Sequence, residues 1–364
     1  MDPIGNSAGV SSILDDYLRK RLKPVEGAIP HLDGIEMYGN SIPAASADGD
    51  LFEYINFQQR YDIDARIRRA HVRSKNYLEP VPEGSIPRNA VDVHVQWLQS
   101  KPDYAPADAT NYRRAKSFEQ LRIAENLYEL YTTAGILLVD AQGHGSIAAK
   151  IASTVHDTFH TAMLCDLDSN GRSSPDVFEI INLRLARSVT ARNALGFDAE
   201  DNTQEIATMV YGEIRPDGLF RFVSFGHPPP LVFSAEYDKF MEIGWARMVQ
   251  FPSLGLEIPE DHPDRNRYVS LTLRKSQITS FDADEITLMN RGDILFLYTD
   301  GVYDGYDEGE RQRIEQLFKE HKRMPAREIC NAILDYAVRN DDHLRQIGES
   351  DRIDDKTVFI IKKD

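Results

Sequence analysis

The chain has 364 residues, of which 41% are hydrophobic, and its 42 basic and 58 acidic side chains give a formal net charge of −16. This length and apolar fraction exclude wholesale disorder and predict a substantial core. The acidic balance argues against binding to nucleic acid or an anionic membrane, because both attract basic side chains. Two cysteines, no signal-peptide pattern at the start and no long apolar run predict a cytoplasmic protein.

The first part of the chain predicts a leader, two strands and an insertion. Residues 1–24 are expected to hold a short amphipathic helix at Ser12–Leu22, which offers a contact with a partner or a second copy of the chain. Apolar runs between Gly34 and Ile55 predict strands joined by a polar turn. Residues at about 56–133 are expected to be an insertion into the main domain, 25–364, because they begin with a stretch that is rich in Arg and Pro and has little periodicity.

Beyond the insertion, helices and strands are predicted in separate runs. Helices are expected at 117–131, 146–160, 175–188 and 325–338, and strands at 135–139, 206–214, 219–225, 268–273, 294–298 and 357–361. This arrangement is typical of an α+β domain with antiparallel sheets.

Aspartates stand at the ends of several predicted strands. Asp140 and Asp300 directly follow apolar runs, Asp354 precedes one, and Asp50 lies in the first turn. Carboxylates that converge from separate strands suit Mg²⁺ or Mn²⁺, which prefer hard oxygen ligands. For any one of these aspartates alone, an ordinary role in forming a turn is the favoured interpretation, and spacing does not decide whether the four meet.

The glycine turn after Asp140 allows a second interpretation. Residues 143–148 fit the dinucleotide-binding pattern Gly-x-Gly-x-x-Ala, placed after a strand and before a helix. Asp140 argues against it, because a carboxylate would lie beside the pyrophosphate, and no series of βαβ units follows.

Three further patterns match only part of a known metal-binding or catalytic motif. His156 and His160 are one helical turn apart, as in the zinc-protease pattern, but the missing third ligand favours solvated helix histidines. The segment 166–177 begins like a calcium loop and lacks its final glutamate, which favours a polar turn. Arg172 is one position too far from Cys165 for the phosphate loop of thiol phosphatases.

Six blocks of the sequence resemble, in order, the motifs of one family, the sporulation stage II E type serine/threonine phosphatases of the protein phosphatase 2C-like superfamily. The similar blocks are Ile42–Glu53, Val139–Gly145 (Val-Asp-Ala-Gln-Gly-His-Gly), Pro175–Leu185, Ser224–Pro230 (Ser-Phe-Gly-His-Pro-Pro-Pro), Gly292–Val302 and Asp354–Val358. The resemblance covers roughly residues 22 to 364, and six blocks in order are more specific than any one of them.

The resemblance implies a β-sandwich of two antiparallel sheets flanked by helices (αββα), with a two-metal centre at one end. It implies that Asp50 and Asp140 are metal ligands, that Asp140 bridges two Mn²⁺ or Mg²⁺ ions, and that the Ala141 carbonyl is a further ligand. Asp300 and Asp354 would hold the second ion. The implied reaction is hydrolysis of phosphoserine or phosphothreonine by a water activated between two ions, with no covalent phosphoenzyme.

Some residues depart from the family pattern or have two interpretations. Asp48 and Glu53 replace a usual glycine and a usual aspartate, and Gln142 is unusual in its loop. His144 either lies near the leaving group as a catalytic residue or packs the glycine loop, and the second interpretation is favoured. His227 is expected to be structural.

The implied partner is a phosphoprotein, with an anti-sigma-factor antagonist as the leading substrate class. Regulation is expected from a separate partner, from a homodimer formed through the leader helix, or from the insertion. The rival hypothesis is a pseudophosphatase, which uses the same fold for binding or signalling without turnover. Retention of all four aspartates argues against that rival.

Overall fold

The computed structural model describes residues 29–44, 49–79, 86–143, 145–194, 205–243, 250–256, 284–303, 305 and 307–364, without the side chains of 187–194, 250 and 351. The described chain forms two compact units. The first consists of the described residues of Met1–Asn56, Thr132–His160 and Phe178–Asp364, and the second of those of Phe57–Tyr131 and Thr161–Val177.

Two sheets make up the first unit. Its strands in the described residues are β1 (Ile35–Ile42), β2 (Asp50–Asn56), β3 (Ala134–Ala141), β4 (Ala207–Ile214), β5 (Leu219–Phe225), β6 (Leu231–Ser234), β7 (Lys239–Phe240), β8 (Gln250–Phe251), β9 (Asp284–Thr287), β10 (Ile294–Tyr298) and β11 (Lys356–Lys363). One sheet has the order β1-β11-β10-β6-β7, and the other has the order β2-β3-β4-β5-β8 with β9 also paired to β5. All these pairings are antiparallel except the short β5–β8 pair.

Alternating side chains along β2 and β3 explain why the two sheets face each other. Phe52 and Tyr54 of β2 and Ile136 and Leu138 of β3 lie in one buried cluster with residues of the other sheet, including Phe359. Successive side chains of a strand point to opposite faces, so the remaining residues of β2 and β3 face away from the sandwich. The buried apolar layer between the sheets removes this area from water and stabilises the unit.

Helices cover both outer faces of the sandwich. The helices α7 (Glu308–His321) and α8 (Ala326–Ile347) pack on the first sheet, where Phe318 and Ile333 share a buried cluster with Phe296. The helices α5 (Ser146–Ser169) and α6 (Pro175–Ala194) reach the second sheet through Phe159 and Phe178, whose rings lie 5.1 and 6.0 Å from that of Tyr211. The expected αββα sandwich is therefore confirmed.

The second unit is helical in its described residues. It contains α1 (Phe57–Tyr61), α2 (Ile63–Leu78), α3 (Ala90–Gln99) and α4 (Pro106–Glu129), together with 161–177. The expectation of a stretch with little periodicity is wrong for α2 and α3. The buried face of α2 includes Arg66, whose guanidinium contacts Asp168 at 2.5 Å, so this face does not appear as an apolar repeat. That the segment is an insertion into the domain stays a prediction.

Several other expectations can be compared with the described residues. The strands β5 and β10 have the predicted bounds, whereas α4 begins eleven residues before the predicted 117 and α8 extends nine residues past the predicted 338. The calcium-like segment 166–177 holds the end of α5, the start of α6 and a polar turn between them, and Asp166 accepts hydrogen bonds from Ser174 and Asn170. The leader helix at 12–22 and the strand at 268–273 lie outside the described residues. None of the described helices has the length and apolar character needed to cross a membrane.

Candidate active site

Asp50 and Asp140 face each other at one end of the second sheet. Asp50 begins β2 and is paired in register with Asp140, near the end of β3. The Asp50 side chain is buried, and its Oδ2 accepts hydrogen bonds from Oγ1 of Thr299 and of Thr357, each at 2.7 Å. Hydrogen bonds to an ionised carboxylate are stronger than neutral ones and replace water around a buried charge. These two hydroxyl groups hold Asp50 in the space between the sheets.

Thr299 and Thr357 also join the segments that carry Asp300 and Asp354. The Thr299 amide donates to the Thr357 carbonyl at 3.1 Å, and the Thr357 amide donates to Thr299 Oγ1 at 2.9 Å. Asp300 comes directly after Thr299 and is exposed. The structure therefore brings the segments of Asp50, Asp300 and Asp354 to one end of the sandwich.

Gly301 allows a close approach between two of these segments. A Cβ on Gly301 would lie 2.0 Å from the carbonyl oxygen of Asp355, a distance that no side chain can occupy. The turn that presents Asp300 thus rests directly on the backbone beside Asp354. A glycine is required here by space, not by its backbone angles.

Asp355 is a positioning residue for which the sequence motifs imply no separate role. Its buried carboxylate accepts hydrogen bonds from the amides of Ala44 and Gly49, each at 2.6 Å. Gly49 directly precedes Asp50 in the chain. Asp355 therefore anchors the entry to β2, whereas the neighbouring Asp354 carboxylate accepts the Asp355 amide at 2.8 Å.

The Ala141 carbonyl lies beside Gly49. The Ala141 amide donates to the Gly49 carbonyl at 3.2 Å, and the Ala141 oxygen lies 3.2 Å from the position that a Cβ on Gly49 would take. Gly143 and Gly145 have φ values of +88° and +79°, which glycine adopts without strain, and they lead into α5. His144 between them lies outside the described residues, as does Asp48.

His227 is a buried histidine close to the strand that carries Asp140. Its Nδ1 lies 2.7 Å from Oγ1 of Thr208, which is paired in register with Asp140. Burial lowers the pKa of His227 to about 3, so the ring is neutral at physiological pH. This environment fits the expected structural role.

The donor chemistry of this end of the sandwich fits hard divalent cations. Four segments carry Asp50, Asp140 with Ala141, Asp300 and Asp354 to this end of the sandwich, and the predicted donors are all oxygens. In the described residues the four carboxylates do not form a group whose ligand atoms all lie within 4.8 Å of one another. Like charges repel, so carboxylates that approach one another are stabilised by cations between them.

A different set of side chains forms the tightest group of metal-ligand type in the described residues. The ligand atoms of Glu53, His156 and His160 all lie within 4.8 Å of one another. His160 is buried and His156 is half-buried, so the expectation of solvated histidines is wrong. The sequence spacing identified the two histidines, but nothing in it linked them to a strand residue about 100 positions earlier.

Residues 132–364 match the family described as Stage II sporulation protein E (SpoIIE). The match covers more than half of the chain. The chain belongs to the SpoIIE family. Asp140, Asp300 and Asp354 lie within the matched region, whereas Asp50 precedes it. No curated protein matches the chain.

Several solved structures are similar to this SpoIIE-family chain. The SiaA-PP2C domain of Pseudomonas aeruginosa is 13% identical, with a TM-score of 0.49, and the match covers 99% of this chain and 97% of that one. The RsbU and RsbW domains of a Mycobacterium tuberculosis protein are 16% identical, with a TM-score of 0.47 and coverage of 93% and 63%. The PP2C phosphatase domain of SpoIIE from Bacillus subtilis, with a fragment of its regulatory domain, is 16% identical, with a TM-score of 0.40 and coverage of 63% and 54%. The chain thus spans less than two thirds of the length of the last two.

Proposed function

We propose that this protein is a metal-dependent phosphatase that removes phosphate from serine or threonine of a partner protein. The observation that carries the proposal is the convergence of Asp50, Asp140 and the segments of Asp300 and Asp354 at one end of the sandwich. Membership of the SpoIIE family supports the same reaction class.

In this proposal the oxygens of Asp50, Asp140, Ala141, Asp300 and Asp354 hold two Mn²⁺ or Mg²⁺ ions. When bound, such a pair activates a water and neutralises charge on the phosphoryl oxygens. The protein contributes the rigidity of the donors, since ligands must keep their positions for the reaction to be fast.

Asp50 and Asp300 have different environments, and each environment suits a metal ligand. Asp50 is buried and fixed by two threonine hydroxyls, while Asp300 is exposed and its carboxylate is presented by a turn. A ligand set that is fixed on one side and exposed on the other holds the ions in place and leaves access for a phosphorylated side chain. No nucleophilic side chain of the protein is needed, because water attacks the phosphorus and the serine or threonine alkoxide leaves.

The proposed substrate is a phosphorylated protein, and the proposed location is the cytoplasm. An exposed site at the end of a sandwich accepts a phosphorylated segment of a folded partner, and a regulatory phosphoprotein such as an anti-sigma-factor antagonist is the proposed substrate class. The net charge of −16 disfavours nucleic acid and anionic membranes as partners. A homodimer remains part of the proposal for regulation.

The test is hydrolysis of an aryl phosphate and of phosphoserine peptides by the purified chain with added Mn²⁺. We expect Asp300→Asn and Asp354→Asn to lose at least about 100-fold in kcat, because each removes a charged ligand. The matched control is Asp342→Asn, which changes an exposed aspartate that pairs with Arg345 at 2.9 Å. This control is expected to keep full activity.

Two outcomes would count against the proposal. Full activity in both Asp300→Asn and Asp354→Asn would show that these residues are not the ligands. A folded wild-type chain that neither binds Mn²⁺ by calorimetry nor hydrolyses any phosphoester would support the pseudophosphatase alternative.

A further inference from the structure

Three side chains of the first unit meet on the outer face of the second sheet, away from the aspartates. The Oε2 atom of Glu53 lies 2.9 Å from Nε2 of His156 and 2.6 Å from Nε2 of His160. Glu53 comes from β2 and both histidines come from α5. We call Glu53, His156 and His160 the Glu-His-His cluster.

The alternation of side chains along β2 explains why the cluster is separate from the proposed phosphatase centre. Phe52 and Tyr54 point into the space between the sheets, so Glu53 between them points to the opposite face, toward α5. Asp50, three residues before Glu53, points between the sheets, where it contacts Thr299 and Thr357. The two groups of ligands therefore lie on opposite faces of one sheet.

Helix geometry places the two imidazoles together. Residues four apart share a face of a helix, and the rings of His156 and His160 have centroids 4.5 Å apart. The side chains of Glu53, His156 and His160 are 17%, 16% and 10% exposed. They are partly shielded from water, yet a small ion has a route to them.

The electrostatics of the cluster favour the charged form of its carboxylate. Burial opposes ionisation of Glu53, but hydrogen bonds and charge interactions with His156 and His160 outweigh it and lower the pKa of Glu53 to about 2. In addition, His156 Nδ1 lies 3.4 Å from Oδ1 of Asp157. A histidine that turns one ring nitrogen toward a carboxylate and the other toward a shared centre is the usual arrangement of a metal-binding imidazole.

We propose that the Glu-His-His cluster is a second metal site, which takes a single Zn²⁺-like transition-metal ion. Two imidazole nitrogens and one carboxylate oxygen are a donor set that Zn²⁺ prefers, in contrast to the all-oxygen donors of the aspartate site. Three protein ligands leave a fourth position for water. The ion links α5 to β2, the strand that begins with Asp50. The proposal does not depend on phosphatase activity.

The test measures binding of Co²⁺ and Zn²⁺ to the metal-free full-length chain. Co²⁺ bound by two nitrogens and an oxygen in a four-coordinate site absorbs visible light much more strongly than Co²⁺ in a six-coordinate oxygen site. We expect wild type to show this strong absorption, and Zn²⁺ to abolish it at one equivalent. The conservative variants Glu53→Gln and His160→Gln should lose the band and bind Zn²⁺ more than about 100-fold more weakly. Loss of a residue that only hydrogen-bonds to a ligand already lowers metal affinity by about 10- to 100-fold, so loss of a ligand should cost more.

Two further variants make the assignment specific. Asp140→Asn alters the aspartate site and should retain the strong absorption. Asp157→Asn should keep the band and weaken Zn²⁺ binding by about tenfold, because it removes only the partner of Nδ1. Thermal unfolding should show a rise in Tm with Zn²⁺ for wild type and Asp140→Asn, and none for His160→Gln.

Three outcomes would overturn the site. The first is wild-type protein that shows only the weak six-coordinate spectrum. The second is unchanged Zn²⁺ affinity in Glu53→Gln and His160→Gln, which would leave the cluster as a hydrogen-bonded triad without metal. The third is loss of the strong band in Asp140→Asn. If either cluster variant fails to fold by circular dichroism, the wild-type and Asp140→Asn spectra still decide the question.

Discussion

Among single residues, the buried carboxylate of Asp50 depends on two hydroxyl groups, one from Thr357 in β11 and one from Thr299 directly after β10. Asp50 Oδ2 receives one hydrogen bond from Thr299 and one from Thr357, and both threonines are fully buried. Removing either donor leaves part of a buried negative charge without compensation, which is more costly than the loss of an exposed hydrogen bond.

Thr357→Val tests this dependence, because valine keeps the shape and removes the hydroxyl. We expect the free energy of unfolding to fall by about 2 kcal/mol. We also expect the Mn²⁺ concentration for half-maximal hydrolysis to rise, since Asp50 loses a fixed position. Urea unfolding and a metal titration of activity measure the two effects.

Ser41→Ala is the matched control for Thr357→Val. Ser41 Oγ lies 3.0 Å from Thr357 Oγ1 and belongs to the same sheet, but the Asp50 carboxylate accepts from Thr357. We expect the metal dependence of Ser41→Ala to match that of wild type. An equal change in both variants would argue against a specific role for the hydrogen bond to Asp50.

His227 makes stability depend on pH. Its pKa is about 3 in the folded protein and 6.5 in the unfolded chain, so below pH 6.5 the unfolded chain binds a proton that the folded protein does not. Stability is therefore lost as the pH falls from 6.5 toward 3. Between pH 6.5 and 4.5 this residue should cost about 2 kcal/mol.

Urea unfolding of wild type and His227→Gln across this pH range measures the effect. The variant is expected to be less stable at pH 7, because it disturbs a buried site, but its stability should fall less steeply with decreasing pH. Parallel curves would show that His227 does not carry the dependence.

At the scale of elements, the turn after β10 and the start of β11 are in direct contact at Gly301. The missing Cβ lets the Asp300 turn approach the Asp355 carbonyl, and Asp355 in turn holds the amides of Ala44 and Gly49. The backbone and side chain of Asp355 therefore contact both the turn that carries Asp300 and the amide that precedes Asp50.

Gly301→Ala should separate these elements, because its Cβ would lie 2.0 Å from a backbone oxygen that has to move. We expect a loss of about 1–3 kcal/mol in stability and a large loss of phosphatase activity. Thermal unfolding and aryl phosphate hydrolysis measure both.

Gly309→Ala, in the first turn of α7, is the control for Gly301→Ala. A Cβ at Gly309 meets only the Asp307 side chain at 3.1 Å, so activity should be unchanged. Equal activity of the two variants would contradict the proposed role of the close approach.

At the scale of the whole molecule, the described chain consists of a sandwich unit and a helical unit, each with its own buried contacts. In the helical unit, buried Asp92 contacts Arg113 at 3.0 Å and accepts a hydrogen bond from the Arg88 amide. Removing one member of a buried ion pair is costly, because the other charge stays buried.

Asp92→Asn should therefore destabilise the helical unit by about 3 kcal/mol. Hydrogen exchange is expected to show reduced protection of amides in α3 and α4, with the amides of β3 and β11 unchanged. Asp103→Asn, at an exposed aspartate of the same unit, should change neither. Equal loss of protection in both units would show that they unfold as one.

Local patterns and motifs in the sequence predicted the sandwich class and most strand positions. The periodic apolar runs of β5 and β10 gave their bounds, and the blocks around Asp140, Asp300 and Asp354 indicated the family, because backbone pattern and turn chemistry are local properties. The same reasoning missed α2, since its buried face includes Arg66, whose partner Asp168 is remote in the chain.

The meeting of particular side chains could be seen only in the folded structure. The strand pairing put Asp140 opposite Asp50, and the packing of α5 on the second sheet brought His156 and His160 to Glu53. The roles of Thr299, Thr357 and Asp355 likewise became visible only in three dimensions. The physical reason is that a hydrogen bond or a set of metal ligands depends on distance in space, and sequence spacing fixes that distance only within one helix, strand or turn.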